Sequence, residues 1–175
     1  MESQGARGAQ TAPEGTTLAT RAPVFGHDAF SGTYRTRMEA SGRLVLPAAF
    51  KSAFEGAAIL RARRDEHLLL WTPRAFDVVA DALSRNTEGV LDPHTRQRVY
   101  MSAPKVSVDR QSRLSVPPEL RERVGIIGDA EVVLAGAIES IEIWPAERFD
   151  AQEAPKLDDV DLLFDTHPGL PTDPV

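Results

Sequence analysis

The chain has 175 residues, enough for one domain or two small ones, and its 42% hydrophobic content permits a packed core. It contains no cysteine, which excludes disulfides and thiolate metal sites, and no apolar run approaches the roughly 18–20 residues of a membrane-spanning helix. The net charge of −6 resides mostly in the last part of the chain: residues 30–150 carry 17 basic and 17 acidic residues, whereas residues 151–175 carry one and six. A neutral module can still present a basic face, so nucleic-acid binding is not excluded.

A short stretch of sequence occurs twice. Residues 39–47 and 109–117 each read as an acid, three further residues, Arg-Leu, two further residues and Pro, at a constant offset of 70. Residues 71–76 and 144–149 also match, but at an offset of 73, so the second copy contains three additional residues. Internal repeats of this kind predict two copies of one structural unit. One unit is too small to bury a sufficient core alone, and we expect both halves to pack as one body.

The first half begins after a segment, residues 1–29, that is rich in Gly, Ala, Thr and Pro and lacks apolar periodicity. Alternation at residues 33–38 predicts a strand with Arg35 and Arg37 on its polar face. In the turn that follows, Gly42 stands where a positive φ is expected. We predict the first-half elements as strands at 33–38, 43–46, 57–62 and 67–71, a turn at 39–42, and a short helix that has Pro47 at its first position and stops at Gly56.

The second half repeats this order, and two helices join the halves. The joining helices are predicted at 74–88 and 92–102; the second half has strands at 105–108, 113–116, 130–136 and 140–144, and helices at 117–124 and from Pro145 to about residue 154. The chain is thereby divided into a disordered extension at 1–29, a first repeat at 30–76, linking helices at 77–103, a second repeat at 104–150 and an acidic disordered tail at 151–175.

These residues resemble the MraZ family, whose repeats are of the SpoVT-AbrB DNA-binding type. The doubled motif carries the resemblance, because each copy is followed by a short helix and a strand pair that ends in Trp. Three shorter stretches add to it: Phe30-Ser31-Gly32-Thr33, Asp92-Pro93-His94-Thr95-Arg96, and Ala137 to Trp144. The resemblance covers about residues 30–150 and neither end of the chain.

The resemblance implies an α+β, mainly β fold in which two swapped-hairpin halves form one barrel with flanking helices. It also implies a homo-oligomeric ring that binds double-stranded DNA at short, tandem, G-rich promoter repeats. The implied role is transcriptional regulation of the protein's own division and cell-wall gene cluster, in the cytoplasm and at the nucleoid. We expect no cofactor, no membrane association and no small-molecule substrate.

Two residues depart from the family pattern. Glu39 stands where Asp is usual, and Ser112 stands where Gly is usual. Aspartate binds turn N–H groups well because its side chain is short, so the longer Glu39 predicts a less tightly held first turn. Ser112 must adopt the backbone angle that Gly would take, at some strain. We therefore do not expect the two halves to contribute equally.

Arg43 and Arg113 are the principal candidates for DNA contact. Arginine binds a phosphate or a guanine edge through its planar fork, and each of these residues directly follows its turn. Alternatively, each arginine pairs with its own acid, Glu39 or Asp109, and only stabilises the turn; both interpretations can hold if the acid orients the arginine. Four further basic residues flank the turns, either as phosphate contacts or as parts of a solvated strand face: Arg35, Arg37, Lys105 and Arg110.

Other functions have less support in the sequence. Trp71 and Trp144 end equivalent strands and are predicted to pack in the core rather than to stack on bases. The four histidines show no metal-ligand spacing, and no phosphate-binding loop or nucleophile elbow occurs, so we do not expect an enzyme. An antitoxin-like module that binds a protein partner is the alternative, although such proteins usually carry one copy of the unit. The acidic tail is expected to solubilise the chain or, alternatively, to mimic DNA on a basic face.

Overall fold

The computed structural model describes residues 29–84 and 92–152; the predicted N-terminal extension and acidic tail lie almost entirely outside these ranges. The elements of the first half are β1 (Thr33–Met38), β2 (Arg43–Val45), α1 (Ala48–Lys51), β3 (Ala57–Arg63), β4 (His67–Trp71) and α2 (Pro73–Ser84). The remaining elements are α3 (Pro93–Met101), β5 (Lys105–Ser107), β6 (Arg113–Ser115), α4 (Pro118–Arg123), β7 (Ala130–Ala137), β8 (Ser140–Pro145) and α5 (Ala146–Asp150). None of the helices within the described ranges has the length and apolar character needed to cross a membrane.

The eight strands form one antiparallel sheet in the order β5-β3-β4-β8-β7-β1-β2-β6. An isolated bridge between Val108 and Leu114 brings the two ends of this sheet together, so the sheet is a nearly closed barrel. The halves interleave, because β1 pairs with β7, β2 with β6, β3 with β5 and β4 with β8. The predicted α+β, mainly β fold class is confirmed.

Two of the pairings between the halves are symmetric. β2 and β6 meet with Leu44 opposite Leu114, which are equivalent positions of the repeated motif. β4 and β8 meet with Leu69 opposite Glu142, which are equivalent at the offset of 73. An approximate twofold axis through these two pairs therefore relates the halves.

The core lies inside the barrel and is supplied by both halves. Alternate residues of the strands point inward, and the largest fully buried side chains include Met38, Leu44, Phe50, Leu114 and Leu134. The motif leucines belong to this set, which explains why the motif places Leu directly after Arg: one faces the interior and the other faces solvent. The inward-facing set therefore anchors the two turns to the barrel.

Two smaller apolar clusters lie outside the barrel, each beneath a helix. α2 covers Ile59, Leu69 and Trp71 through its own Phe76. α5 lies over the equivalent surface of the second half, where Trp144 packs with Val133 and Ala146. Both tryptophans are therefore buried, as predicted, and neither is available as a platform for bases.

The second half contains a four-residue insertion before β7. Ala57 of β3 pairs with Ser107, and Glu131 of β7 pairs with Arg37, which is the repeat equivalent of Ser107. Ala57 and Glu131 are therefore equivalent at an offset of 74, whereas the motifs are equivalent at 70. The turn between β7 and β8 is one residue shorter than the turn between β3 and β4, which restores the offset of 73 at the tryptophans.

Several helix ends differ from the predictions. Pro47 and Pro117 are N-caps with extended ψ values of 151° and 142°, so each connects a strand to a helix that begins one residue later. The helix predicted from Pro145 to about residue 154 ends at Asp150. The last predicted residues of α2, 85–88, lie outside the described ranges.

Candidate nucleic-acid interface

The arginines of the two motifs lie on one outward surface. β2 and β6 pair with Arg43 opposite Ser115 and Val45 opposite Arg113, while the central leucine of each strand is buried. Alternation therefore directs the other four side chains outward. We call these four side chains, Arg43, Val45, Arg113 and Ser115, the ribbon face. The two arginines occupy diagonal positions, which lie roughly 7–8 Å apart on such a strand pair, so both can reach one extended ligand.

Neither guanidinium group pairs with the acid of its own motif. Arg43 is exposed and Arg113 is half-buried. Within residues 29–84 and 92–152, the side chains of both arginines lack hydrogen-bond and ion-pair partners, and the ion pairs that do form involve other residues. In the structure, neither Arg43 with Glu39 nor Arg113 with Asp109 forms the ion pair that the alternative interpretation requires.

The second turn, residues 109–112, is held by its own aspartate. Asp109 Oδ1 accepts hydrogen bonds from the backbone N–H of Gln111 at 2.8 Å and of Arg113 at 2.9 Å. Ser112 lies in the left-handed region with φ of 60°, so it adopts the angle expected for the missing glycine. Asp109 thus stabilises the backbone that leads into Arg113 and leaves the guanidinium group unpaired.

The first turn, residues 39–42, has the same backbone bonds but different side-chain partners. Gly42 N–H donates to the Glu39 carbonyl at 2.8 Å, as Ser112 N–H does to the Asp109 carbonyl at 2.9 Å. The Glu39 carboxylate, however, accepts from the Ser41 hydroxyl at 3.1 Å instead of from the backbone. Glu39, which is one methylene longer than Asp109, therefore gives the backbone of the first turn none of the side-chain support that Asp109 gives the second.

Two side chains of the second half bind the first turn instead. Asp129 Oδ1 accepts from Ala40 N–H at 2.8 Å, and Arg121 Nη1 donates to the Ala40 carbonyl at 3.1 Å. Sequence reasoning missed both residues. Asp129 lies in the loop before β7 that is four residues longer in the second half, so the extra length was the available signal, but nothing in the composition of the loop pointed to the turn.

The remaining basic candidates divide into two groups. Arg37 and Arg110 are exposed beside the ribbon face, the first where β1 pairs with β2 and the second within the second turn. Arg35 and Lys105 are also exposed, but each lies two residues farther from the turns, on β1 and β5. Four of the six predicted residues are thus brought together around the ribbon: Arg37, Arg43, Arg110 and Arg113.

Arg35 is already engaged by two carboxylates. It donates a hydrogen bond to Asp150 at the end of α5, and its Nη1 lies 3.9 Å from Glu131. The hydrogen bond to Asp150, together with its charge, raises the pKa of the Arg35 guanidinium. An external phosphate would have to compete with Asp150, which makes Arg35 a weaker candidate than Arg37.

Among the described residues, no group of three or more His, Cys, Asp or Glu side chains could hold a metal ion.

A relative from Thermomicrobium roseum, named Transcriptional regulator MraZ, is 32% identical over 126 residues, which cover 70% of this chain and 86% of the relative. This chain belongs to the MraZ family.

Other comparisons agree with this membership. The MraZ family model, described as "MraZ protein, putative antitoxin-like", matches residues 99–160. Proteins named Transcriptional regulator MraZ from Clavibacter michiganensis and Salinispora arenicola are 30% and 28% identical, over 84% and 99% of their own lengths. The shares of this chain that they cover are 69% and 81%. These MraZ relatives are named as regulators and not as enzymes.

Proposed function

We propose that this member of the MraZ family is a sequence-specific transcriptional regulator that binds double-stranded DNA through the ribbon face. The observation that supports it best is the pair of unpaired guanidinium groups, Arg43 and Arg113, at symmetric positions on one outward strand pair. The major groove of B-DNA admits a two-stranded β-ribbon, and the most common specific contact there is arginine to guanine O6 and N7.

The proposal assigns different roles to the basic residues. Arg43 and Arg113 read base edges, and Arg37 and Arg110 bind the phosphates on either side, which positions the ribbon without reading sequence. Lys105 supplies a more distant phosphate contact. Arg35 contributes least, because Asp150 competes for its guanidinium group.

A single ribbon carries few basic side chains, so one protomer is expected to bind DNA weakly. We propose that protomers assemble into a homo-oligomeric ring and bind tandem promoter repeats of the protein's own division and cell-wall gene cluster, at the nucleoid. Tethered sites raise the effective concentration of each further contact, so the ring gains affinity by avidity. A monomeric variant that kept the full affinity for tandem repeats would contradict this part of the proposal.

The test is a gel-shift titration on the DNA upstream of the protein's own gene, with a scrambled duplex of equal length as the competitor. Arg43→Ala and Arg113→Ala should each weaken specific binding by about 1–3 kcal/mol, roughly five- to 150-fold, and the double variant should remove it. Arg74→Ala is the matched control, because it removes the same charge from the exposed surface of α2. Equal binding of both duplexes by the wild type would overturn the proposal.

The alternative function is an antitoxin-like module, which the description of the family model favours. A protein partner would then occupy the ribbon face, and the arginine variants would lose that partner without any change in DNA binding. Co-purification of the wild type and the double variant with a candidate toxin from the same genome separates the two functions.

A further inference from the structure

The first turn depends on the second half of the chain for its side-chain bonds. Arg121 donates to the carbonyl and Asp129 accepts from the N–H of a single residue, Ala40, at 3.1 and 2.8 Å. Arg121 also lies against the turn, since a Cβ at Gly42 would be 2.9 Å from its Nε, which is buried without a hydrogen-bond partner among the described residues. Both backbone polar groups of the exposed residue Ala40 are thus bound by side chains more than 80 residues away in sequence.

The second turn has no equivalent support. Lys51 stands at the position equivalent to Arg121 and is exposed, without a bond to the second turn. Asp129 lies in the loop between α4 and β7, which is four residues longer than its counterpart. Its equivalent at the strand offset of 74 is Glu55, which is exposed and, within the described residues, makes no side-chain bond to the second turn. The half that lacks an aspartate in its own turn is therefore the half that receives one from the other repeat.

We propose that Asp129 and Arg121 are positioning residues that set the conformation of the first turn and thereby the direction of Arg43. This inference rests on the proposed DNA-binding function of the ribbon face. Arg43 follows the turn directly, and its backbone carbonyl accepts from Glu39 N–H at 2.9 Å, so movement of the turn is transmitted to the strand position that carries the guanidinium group. Asp129 thus supplies a carboxylate acceptor to the first turn at the Ala40 N–H, whereas Asp109 accepts from the N–H of Gln111 and Arg113, the equivalents of Ser41 and Arg43.

Charge and positioning predict opposite effects of removing Asp129. Asp129 is exposed and contacts the turn next to the ribbon face, so its negative charge repels a DNA backbone bound there. If only charge mattered, Asp129→Ala would strengthen DNA binding. Positioning predicts weaker specific binding, because the Ala40 N–H loses its acceptor and the turn samples other conformations.

The experiment compares Asp129→Ala with Asp129→Asn in the full chain, with the upstream duplex and the scrambled duplex as probes. We expect Asp129→Ala to bind the upstream duplex roughly tenfold more weakly, which corresponds to about 1.4 kcal/mol, while binding of the scrambled duplex stays the same or increases. Asp129→Asn keeps an acceptor oxygen and should retain at least wild-type affinity. Unchanged or tighter specific binding by Asp129→Ala would overturn the inference.

Hydrogen exchange without DNA gives an independent measurement. In Asp129→Ala the Ala40 amide should exchange at least tenfold faster, whereas the Gln111 amide, which Asp109 binds, should be unaffected. Equal exchange of Ala40 in both proteins would overturn the inference even if the wild type showed no preference for the upstream duplex. A wild type without preference for the upstream duplex would refute only the proposed DNA-binding function. Equal Ala40 exchange would refute only the role of Asp129, so the two outcomes are distinguishable.

A rescue variant completes the test. Glu39→Asp should create in the first turn the short side chain that the second turn already has. In the Asp129→Ala background that side chain would accept from the N–H of Ser41 and of Arg43, the equivalents of Gln111 and Arg113, so it should restore the specific affinity while the Ala40 amide still exchanges quickly. Failure of this double variant to recover the specific affinity, while it remains folded, would show that Asp129 acts through something other than the turn and would overturn the inference.

Discussion

The first and second turns have the same backbone hydrogen bonds but different side-chain support. The second turn is self-contained, because Asp109 binds two of its N–H groups. The first turn is supported from outside, because Asp129 and Arg121 bind Ala40. A duplicated unit can therefore keep its conformation while the bonds that maintain it move from within one repeat to the contact between repeats.

The difference extends to the backbone itself. Gly42 and Ser112 occupy equivalent positions, and both have positive φ, 83° and 60°. Only the first position is crowded: a Cβ on Gly42 would lie 2.6 Å from the Val116 carbonyl, whereas Ser112 already carries a Cβ. Close contact with Arg121 and with Val116, directly after β6, thus excludes a side chain at Gly42, whereas the equivalent position of the second turn accommodates one.

The largest expected effect on the free energy of unfolding comes from single substitutions at these two positions. Gly42→Ala should lower the free energy of unfolding by about 2–3 kcal/mol, because it combines an unfavourable φ with a backbone clash. Ser112→Gly should raise it by about 0.5 kcal/mol, since the relief of strain exceeds the entropy lost by glycine. Urea denaturation of both variants measures the contrast, and equal losses would show that the two turns are equally crowded.

The next effect concerns the acids of the two motifs. Asp109→Ala should destabilise the protein by about 1–2 kcal/mol, as the loss of a side-chain acceptor for two backbone N–H groups does at a helix cap. Glu39→Ala should change stability by less than about 0.5 kcal/mol, because Glu39 accepts only from Ser41 at the exposed surface. Thermal or chemical denaturation of the pair is the measurement. A large loss for Glu39→Ala would contradict the distinction between a self-supported and an externally supported turn.

A third contrast lies at equivalent positions of β4 and β8, where the first half has His67 and the second has Ser140. His67 is buried and stacks on Trp144 with ring centroids 3.9 Å apart. Burial lowers the pKa of His67 below its ordinary value of 6.5, although nearby Glu142 opposes this and Arg63 adds to it. His67 therefore binds a proton more readily in the unfolded chain than in the folded one. Its contribution to the free energy of unfolding should be fully present above about pH 6.5 and should be lost as the pH falls below that value.

His67→Phe keeps an aromatic ring against Trp144 and removes the titrating group. The free energy of unfolding of this variant should depend less steeply on pH below about 6.5 than that of the wild type. Denaturation at a series of pH values measures the slope. The same slope in both proteins would show that burial of His67 does not link protonation to folding.

The smallest effect concerns the basic residues beside the ribbon. Arg37→Ser copies Ser107, its equivalent in the second half, and should weaken binding of all DNA sequences a few-fold while lowering the slope of log affinity against log salt by about 1. Arg35→Ala is the control, with a smaller change expected because Asp150 already binds Arg35. Salt titrations of both variants measure whether Arg37 on β1 binds phosphate in a way that its equivalent on β5, Ser107, does not. Equal slopes for Arg37→Ser and the wild type would show that it does not.

The local features of this protein were predictable from its sequence. The repeat, the order of strands and helices, the positive φ at Gly42, and the outward direction of the two arginines all depend on residues close in sequence. Residue type and two-residue alternation determine these properties, so they could be predicted before any contact was known. The weaker hold of Glu39 on its turn followed in the same way, from the length of one side chain.

Tertiary structure alone decided which distant side chains contact the first turn and the basic candidate residues. Asp129 and Arg121 meet Ala40 across 89 and 81 residues, and Arg35 meets Asp150 across 115. These contacts depend on how the interleaved halves pack and on where a four-residue insertion directs the loop before β7. A periodic pattern states which face a residue occupies, but not which residue of the other half lies opposite, because that depends on the register of the strands between them.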